Sequence, residues 1–176
     1  ARFYTLTPLI SQTQVAVSIE TGSTTPVSIG PVEIPEYLDR LEIVTRVEQN
    51  QLILSEFNLW GGSLKEDVNR VLTENISYIL AKDGIKVATW RTGIAEVYRV
   101  PVMIGRFDGS AKDGIVLKAR WAVLEKEGKA FEQLRESSVT VPVQGGDYGA
   151  VVAAMSDALG MLSREIGEGI RSVVGK

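Results

Sequence analysis

Two residue types are missing from this 176-residue sequence: it contains no cysteine and no histidine. Without cysteine there is no disulfide framework, no thiol nucleophile and no thiolate ligand for a metal. Without histidine the serine–histidine and cysteine–histidine mechanisms fall away, together with most zinc sites. Positive charge is short as well. Nineteen Lys and Arg stand against 22 Asp and Glu, a net charge of −3, so the chain has no basic footprint for nucleic acid. No apolar run reaches the roughly 18 uninterrupted residues of a membrane helix. The most apolar stretch, near the C-terminus, is broken by Asp157, Arg164, Glu165 and Glu168. GxGxxG, phosphate-loop and GxSxG patterns are absent, and Gly61-Gly62-Ser63 reads as the approach to a helix. There is no internal repeat and no low-complexity segment.

What is present is ordinary for a folded chain. Hydrophobic residues make up 44% and charged residues 23%, and the length suits one domain, residues 1–176, with a sizeable core. Short strands are expected at 2–7 and 14–19, the second from the alternation of Val15, Val17 and Ile19. The turn cluster Thr21 to Pro26 leads to a strand at 27–34, in which Pro31 marks an edge position or a bulge. Pro35 stops that strand, and Glu36 to Arg40 fits one helical turn. Tyr37 and Leu38 would then cover the sheet edge, with Asp39 and Arg40 at a surface corner. Ile43–Val47 and Leu52–Phe57 read as a hairpin around Glu48-Gln49-Asn50.

Two long helices follow from the spacing of apolar residues. Ser63 opens the first as N-cap, with Glu66 three positions on. Its stripe is Leu64, Val68, Val71, Leu72, Ile76, Ile79 and Leu80. Lys65, Glu66, Asn69, Arg70 and Glu74 fall opposite, and Gly84 suits a left-handed cap. The sequon Asn75-Ile76-Ser77 lies inside this helix, where glycosylation is not expected. The second helix runs from about Asp147 to Val173, with Gly160 and Gly167 seven apart and expected to pack on the sheet. Between the helices lie a strand at 85–90, a turn at Arg91-Thr92-Gly93 and a meander of 95–107, 115–125 and 129–142. Asp108-Gly109, Asp113-Gly114 and Glu127-Gly128 mark its reversals. The fold class is therefore α/β or α+β, a mixed, largely antiparallel sheet packed with two helices.

Five pieces of the N-terminal half stand in an order and spacing that resembles the ABC-type transport auxiliary lipoprotein family. They are Phe3-Tyr4-Thr5-Leu6, Ile29-Gly30-Pro31-Val32, Ile34-Pro35-Glu36-Tyr37-Leu38-Asp39-Arg40, Ile43-Val44-Thr45-Arg46, and Glu56-Phe57 with Trp60 before the helix. The family usually has a small residue, an acidic residue and a proline after the tryptophan, where this chain has Gly61-Gly62-Ser63. The resemblance implies a layered sheet-and-helix sandwich, similar to the anticodon-binding-like arrangement of TolB-type periplasmic domains. It implies a bacterial envelope lipoprotein whose signal peptide and lipidated cysteine lie upstream of Ala1, anchored in the outer membrane and facing the periplasm. Its implied partners are an MCE-type protein and an ABC transporter that move phospholipid or a similar cargo, with copies of the chain possible as a ring. No cofactor is implied.

Candidate chemistry is sparse. Asp108 with Asp113, and Glu125 with Glu127, are expected to be solvated turn residues instead of acid–base pairs. Asp39 with Arg40 or Arg46 suits a structural ion pair. No catalytic or metal site is expected, and the chain is not read as an enzyme. Binding remains, with Pro31, Pro35, Tyr37, Leu38, Asp39, Arg40, Arg46 and Trp60 as candidate interaction residues. Among the aromatics, Trp90, Trp121, Tyr4 and Tyr98 suit core packing, while Trp60 suits an exposed anchor in a loop before the helix. The competing reading is a carrier with a lipid or small hydrophobic ligand in its own cavity, which needs an enclosed apolar pocket of roughly 300 Å³.

Overall fold

The elements that position the functional surfaces come from a computed structural model, which describes residues 1–9, 25–90, 96–125 and 134–175. In chain order they are β1 (Arg2–Tyr4), β2 (Thr25–Glu33), a 3₁₀ turn (Glu36–Leu38), β3 (Glu42–Val47), β4 (Gln51–Trp60) and α1 (Leu64–Leu80). After these come β5 (Ile85–Thr89), β6 (Tyr98–Ser110), β7 (Gly114–Trp121), β8 (Leu124–Glu125), β9 (Arg135–Val141) and α2 (Tyr148–Val174). The strand expected at 14–19, the turn at Arg91-Thr92-Gly93 and the reversal at Glu127-Gly128 lie outside the described residues.

The strands form a large sheet in the order β5-β2-β6-β7-β9 and a small one in the order β1-β4-β3, with β8 pairing β6 off the main path. In the large sheet β2 pairs β5 and β6 in parallel. Strands β6, β7 and β9 form the expected antiparallel meander. The mixed α+β class therefore holds. A parallel neighbour requires a crossover, and between β2 and β5 the crossover includes α1, which lies over both strands. Helix α2 lies over β7 and β9 and against α1.

The core sits between the helices and the large sheet. The α1 stripe Leu64, Val68, Val71, Leu72, Ile76 and Leu80 is buried, as are Val151, Val152, Met155, Leu159, Leu162, Ile166 and Ile170 of α2. They meet Ile29, Val100, Val102, Phe107, Ile115 and Leu117 from the strands in one cluster. Both helices start as their sequences predict. Ser63 accepts from the Glu66 N–H at 3.3 Å and Asp147 from the Ala150 N–H at 2.8 Å, each satisfying an orphan amide of a first turn. Gly84 is left-handed, at φ 69°.

Several local expectations change. Strand β2 is interior, so Pro31 marks a bulge and not an edge: the register with β6 shifts between Ile29 and Val32. A residue without an N–H is tolerated where the ladder is already broken. Asn69, expected on the polar face of α1, is buried and donates to the Ile29 carbonyl at 3.3 Å while accepting from Thr89 Oγ1 at 2.9 Å. Strand β6 continues to Ser110, so Asp108-Gly109 is strand, and of the two expected reversals among the described residues the one at Asp113-Gly114 forms the turn. Gly160 and Gly167 face Leu9 and Ile79, not the sheet. Their missing side chains let the N-terminal segment and α1 approach α2.

Candidate functional site

Three surfaces concentrate polar bonding or exposed apolar area. The first is a corner where the small sheet meets β6. Asp108 is fully buried, although it stands beside a glycine and was expected in a solvated turn. Arg46, from the face of β3 that turns toward β6, grips it in a fork: Nε to Oδ1 at 2.8 Å and Nη2 to Oδ2 at 2.9 Å. The Tyr37 hydroxyl donates to Oδ2 at 2.5 Å, and Arg106 Nε donates to Oδ1 at 3.1 Å. Arg46 also donates from Nη1 to the Gln49 carbonyl at 2.9 Å and lies over the Tyr37 ring, 5.8 Å from its centroid.

Burial by itself would raise the Asp108 pKa. The donors from Arg46, Tyr37 and Arg106 outweigh it and hold the carboxyl below its ordinary value of 3.8. Burial, reinforced by donation to Asp108, pushes the Tyr37 phenol up to about 12. The Arg46 guanidinium is held more firmly protonated by its bonds to Asp108. A carboxylate has about four lone-pair sites, and four donors occupy them here. Such a group is a poor proton acceptor for a substrate. It ties the 3₁₀ turn, the β3–β4 hairpin and the large sheet together.

The second surface is the N-terminal segment, laced into the groove between the helices. Asp67 Oδ2 accepts from the Leu6 N–H at 2.8 Å and from Thr5 Oγ1 at 3.1 Å. Arg70 donates to the Leu6 carbonyl at 3.0 Å and pairs with Asp67 at 2.8 Å. Further along, Thr7 N–H reaches Ser156 Oγ at 3.0 Å and Leu9 N–H reaches Asn75 Oδ1 at 2.7 Å. Asn75, the sequon asparagine, is buried and also donates to Ser163 at 3.1 Å.

The third is an apolar strip on the small sheet. Phe3 is 66% exposed and Phe57 67%. Phe3 pairs with Leu59, while Phe57 lies where the β3–β4 register shifts and borders a shallow cleft with Arg2, Tyr4 and Asn58, so both rings are exposed where β1 meets β4. Leu52, Ile53 and Leu54 are also exposed toward the hairpin end. Only residues 58–60 of β4 pair with β1. No other strand among the described residues pairs with the rest of that edge.

The residues singled out from sequence do not form one site. Tyr37 and Arg46 meet at Asp108. Leu38 is buried behind the 3₁₀ turn, whose first hydrogen bond runs from the Leu38 N–H to the Pro35 carbonyl at 3.0 Å. Asp39 and Arg40 are exposed, at the surface corner expected. The Asp39 ion pair does not form with Arg46, because Asp108 takes the arginine. Pro31 borders a small cleft near Trp90 and Asn69. Trp60 is 3% exposed and belongs to the core. It ends β4, held by Tyr4 on one side and by the Leu41 carbonyl at 2.7 Å on the other, so it is not an exposed loop anchor.

Sequence reading missed Asp108 and the Phe3–Phe57 strip. A signal for the strip was legible, since Leu52-Ile53-Leu54 breaks alternation and cannot hide every side chain on one face. Clefts of about 310 and 640 Å³ open at the surface, beside Trp60 and over β6–β7–β9 respectively. Among the described residues no three acidic side chains gather as a metal would require, and no helix is long and apolar enough to cross a membrane.

Residues 4–167 match the family described as "ABC-type transport auxiliary lipoprotein component". An uncharacterized protein of known crystal structure superposes with TM-score 0.78 at 19% identity, covering 96% of this chain and 97% of its own. A protein from Xanthomonas campestris superposes with TM-score 0.75 at 18% identity, covering 99% and 97%. At these identities the likeness establishes the shared fold. None of the curated proteins gives a significant match.

Proposed function

The chain belongs to the ABC-type transport auxiliary lipoprotein family, and from that premise we propose that it is a non-catalytic docking subunit of a lipid transport system in the bacterial envelope. In this reading a lipid on the N-terminal side holds the domain at the outer membrane, and the domain receives the periplasmic end of an MCE-type conduit served by an ABC transporter. Acyl chains supply the membrane affinity, so the domain itself needs no membrane-binding face.

The observation that carries the reading is the Phe3–Phe57 strip. Two large aromatic rings, each about two-thirds exposed where β1 meets β4, with Leu52, Ile53 and Leu54 exposed further along β4, make an apolar surface of the kind a partner covers. The lacing of residues 5–9 between α1 and α2 supports it as well. A domain held by its N-terminus has to pass any pull into its body, and these bonds join that segment to both helices. A ring of copies is compatible with the same strip, through a head-to-tail interface. The carrier reading has less support, because facing α1, α2 and strand residues interdigitate with side chains at 0% exposure and the clefts described above are open grooves.

The test is capture from membranes. The full-length lipoprotein, co-expressed with its neighbouring genes, is pulled down and its companions are identified. Recovery of an MCE-domain protein by the wild type, and its loss in a Phe3→Lys, Phe57→Lys double variant that still folds, is the expected result. Recovery of lipid alone with the isolated domain would overturn the docking reading in favour of the carrier.

A further inference from the structure

The face of the large sheet turned away from the helices carries cations in adjacent rows. Pairing across β6, β7 and β9 places Met103 beside Arg120 and Glu136 in one row, and Arg106 beside Lys118 and Ser138 in the next. Cross-strand partners point to the same side of a sheet. Arg106 and Lys118 therefore oppose each other directly, an arrangement of like charge that works against the sheet unless something neutralises it.

The nearby carboxylates neutralise it only in part. Asp108 pairs with Arg106 at 3.1 Å but is shared with Arg46 at 2.8 Å, so one carboxylate faces two guanidinium groups and none is left for Lys118. Glu136 is paired with Arg120 at 2.9 Å. Glu33, cross-strand from Met103, stands a row away from Lys118. The Lys118 side chain is exposed and has no hydrogen bond or ion pair among the described residues. Arg106 uses Nε on Asp108 and has no other bond there, so its terminal nitrogens remain to donate.

The floor at this point is shaped as well. The β6–β7 register shifts between Ile104 and Arg106, which puts Gly105 in a bulge without a side chain. An added Cβ there would meet nothing closer than the Lys118 carbonyl at 3.9 Å. The resulting groove, about 640 Å³, is lined by Met103, Gly105, Arg106, Lys118, Arg120 and Ser138 among others.

We propose that Arg106, Lys118 and Ser138 form a binding site for the phosphate group of a phosphorylated ligand, with Met103 as an apolar lip. Three donors come from three neighbouring strands, about 4.8 Å apart. A phosphate presents three strong acceptor oxygens, whereas a single carboxylate has two. The site is separate from the Phe3–Phe57 strip and does not depend on the docking reading. A lipid headgroup and free phosphate share this chemistry, and the choice of probe separates them.

The experiment titrates the full chain with inorganic phosphate and with monomeric dihexanoyl phosphatidic acid, against chloride at matched ionic strength, following heat of binding and thermal unfolding. Variants are Lys118→Gln and, as the conservative control, Lys118→Arg. Wild type and Lys118→Arg are expected to bind a phosphate probe and gain thermal stability from it. Lys118→Gln should bind at least tenfold more weakly while keeping or slightly raising its stability in chloride. Tighter binding of the phosphatidic acid assigns the site to a phosphorylated amphiphile, and equal binding assigns it to free phosphate. Absence of stabilisation beyond chloride, or equal binding by Lys118→Gln, would overturn the proposal.

Discussion

The hydroxyl of Tyr37 donates to Oδ2 of Asp108 at 2.5 Å, across 71 positions of sequence. Tyr37 comes from a one-turn 3₁₀ segment and Asp108 from the end of the longest strand. Their bond, with the Arg46 fork beside it, joins the small sheet to the large one. A buried carboxylate held by three side chains makes each of them costly to remove.

Replacing Asp108 with Ala should therefore destabilise the fold by about 3 kcal/mol, near the lower end for a broken buried pair. The lower end applies because the Arg46 and Arg106 side chains keep 19% and 31% exposure. Tyr37→Phe removes one bond to a charged acceptor and should cost about 1.5–3 kcal/mol. Urea denaturation of the variants measures both. A loss below about 0.5 kcal/mol for Asp108→Ala would mean that the corner is not a lock.

The same corner sets two pH limits. The folded Asp108 carboxyl lies below its ordinary 3.8, so its contribution is complete above that value and is lost as pH falls below it through the folded pKa. The phenol of Tyr37 runs the other way: raised from 10.0 to about 12, it contributes fully below pH 10 and loses that contribution as pH climbs toward 12. Ultraviolet titration should show a late phenolate component near pH 12 that Tyr37→Phe removes. Asp108→Asn should flatten stability against pH below 3.8.

Gly30 has φ +120°, and a Cβ there would sit 2.1 Å from Trp90 Cδ1 and 2.7 Å from Asn69 Nδ2. Gly30→Ala combines backbone strain with overpacking, each typically about 1–3 kcal/mol. A total loss near 3 kcal/mol is expected, with a change in Trp90 emission as the ring is displaced. Thermal unfolding followed by tryptophan fluorescence reports both.

Trp60 and Phe57 should separate stability from binding. Trp60→Ala empties a core site and should cost about 3–5 kcal/mol. Phe57→Ser, at a ring 67% exposed, should change stability by no more than about 0.5 kcal/mol yet weaken capture of the conduit protein. Denaturation midpoints and pull-down yields for the two variants provide the comparison. The strip would lose its assigned role if Phe57→Ser captured the partner as well as the wild type.

Local signals carried most of the architecture. The periodicity of Leu64 to Leu80 and of Val151 to Ile170 announced both helices, and Ser63 and Asp147 their starts, because capping and amphipathicity act within a few residues. Alternation announced the meander, and the ordered pieces from Phe3 to Trp60 announced the family. What the sequence by itself determined, then, was the class of fold, the helix ends and the kinship.

Which strands pair in parallel, that Trp60 closes the core while Phe3 and Phe57 face out, and that Asp108 is buried were decided only in the tertiary structure. These outcomes depend on partners far apart in the chain. Asp108 beside a glycine has the local spelling of a turn, and nothing nearby says that Arg46, 62 positions earlier, will reach it. Burial of a charge becomes favourable only when its donors are already in place, and placing them requires the packing of the whole sheet.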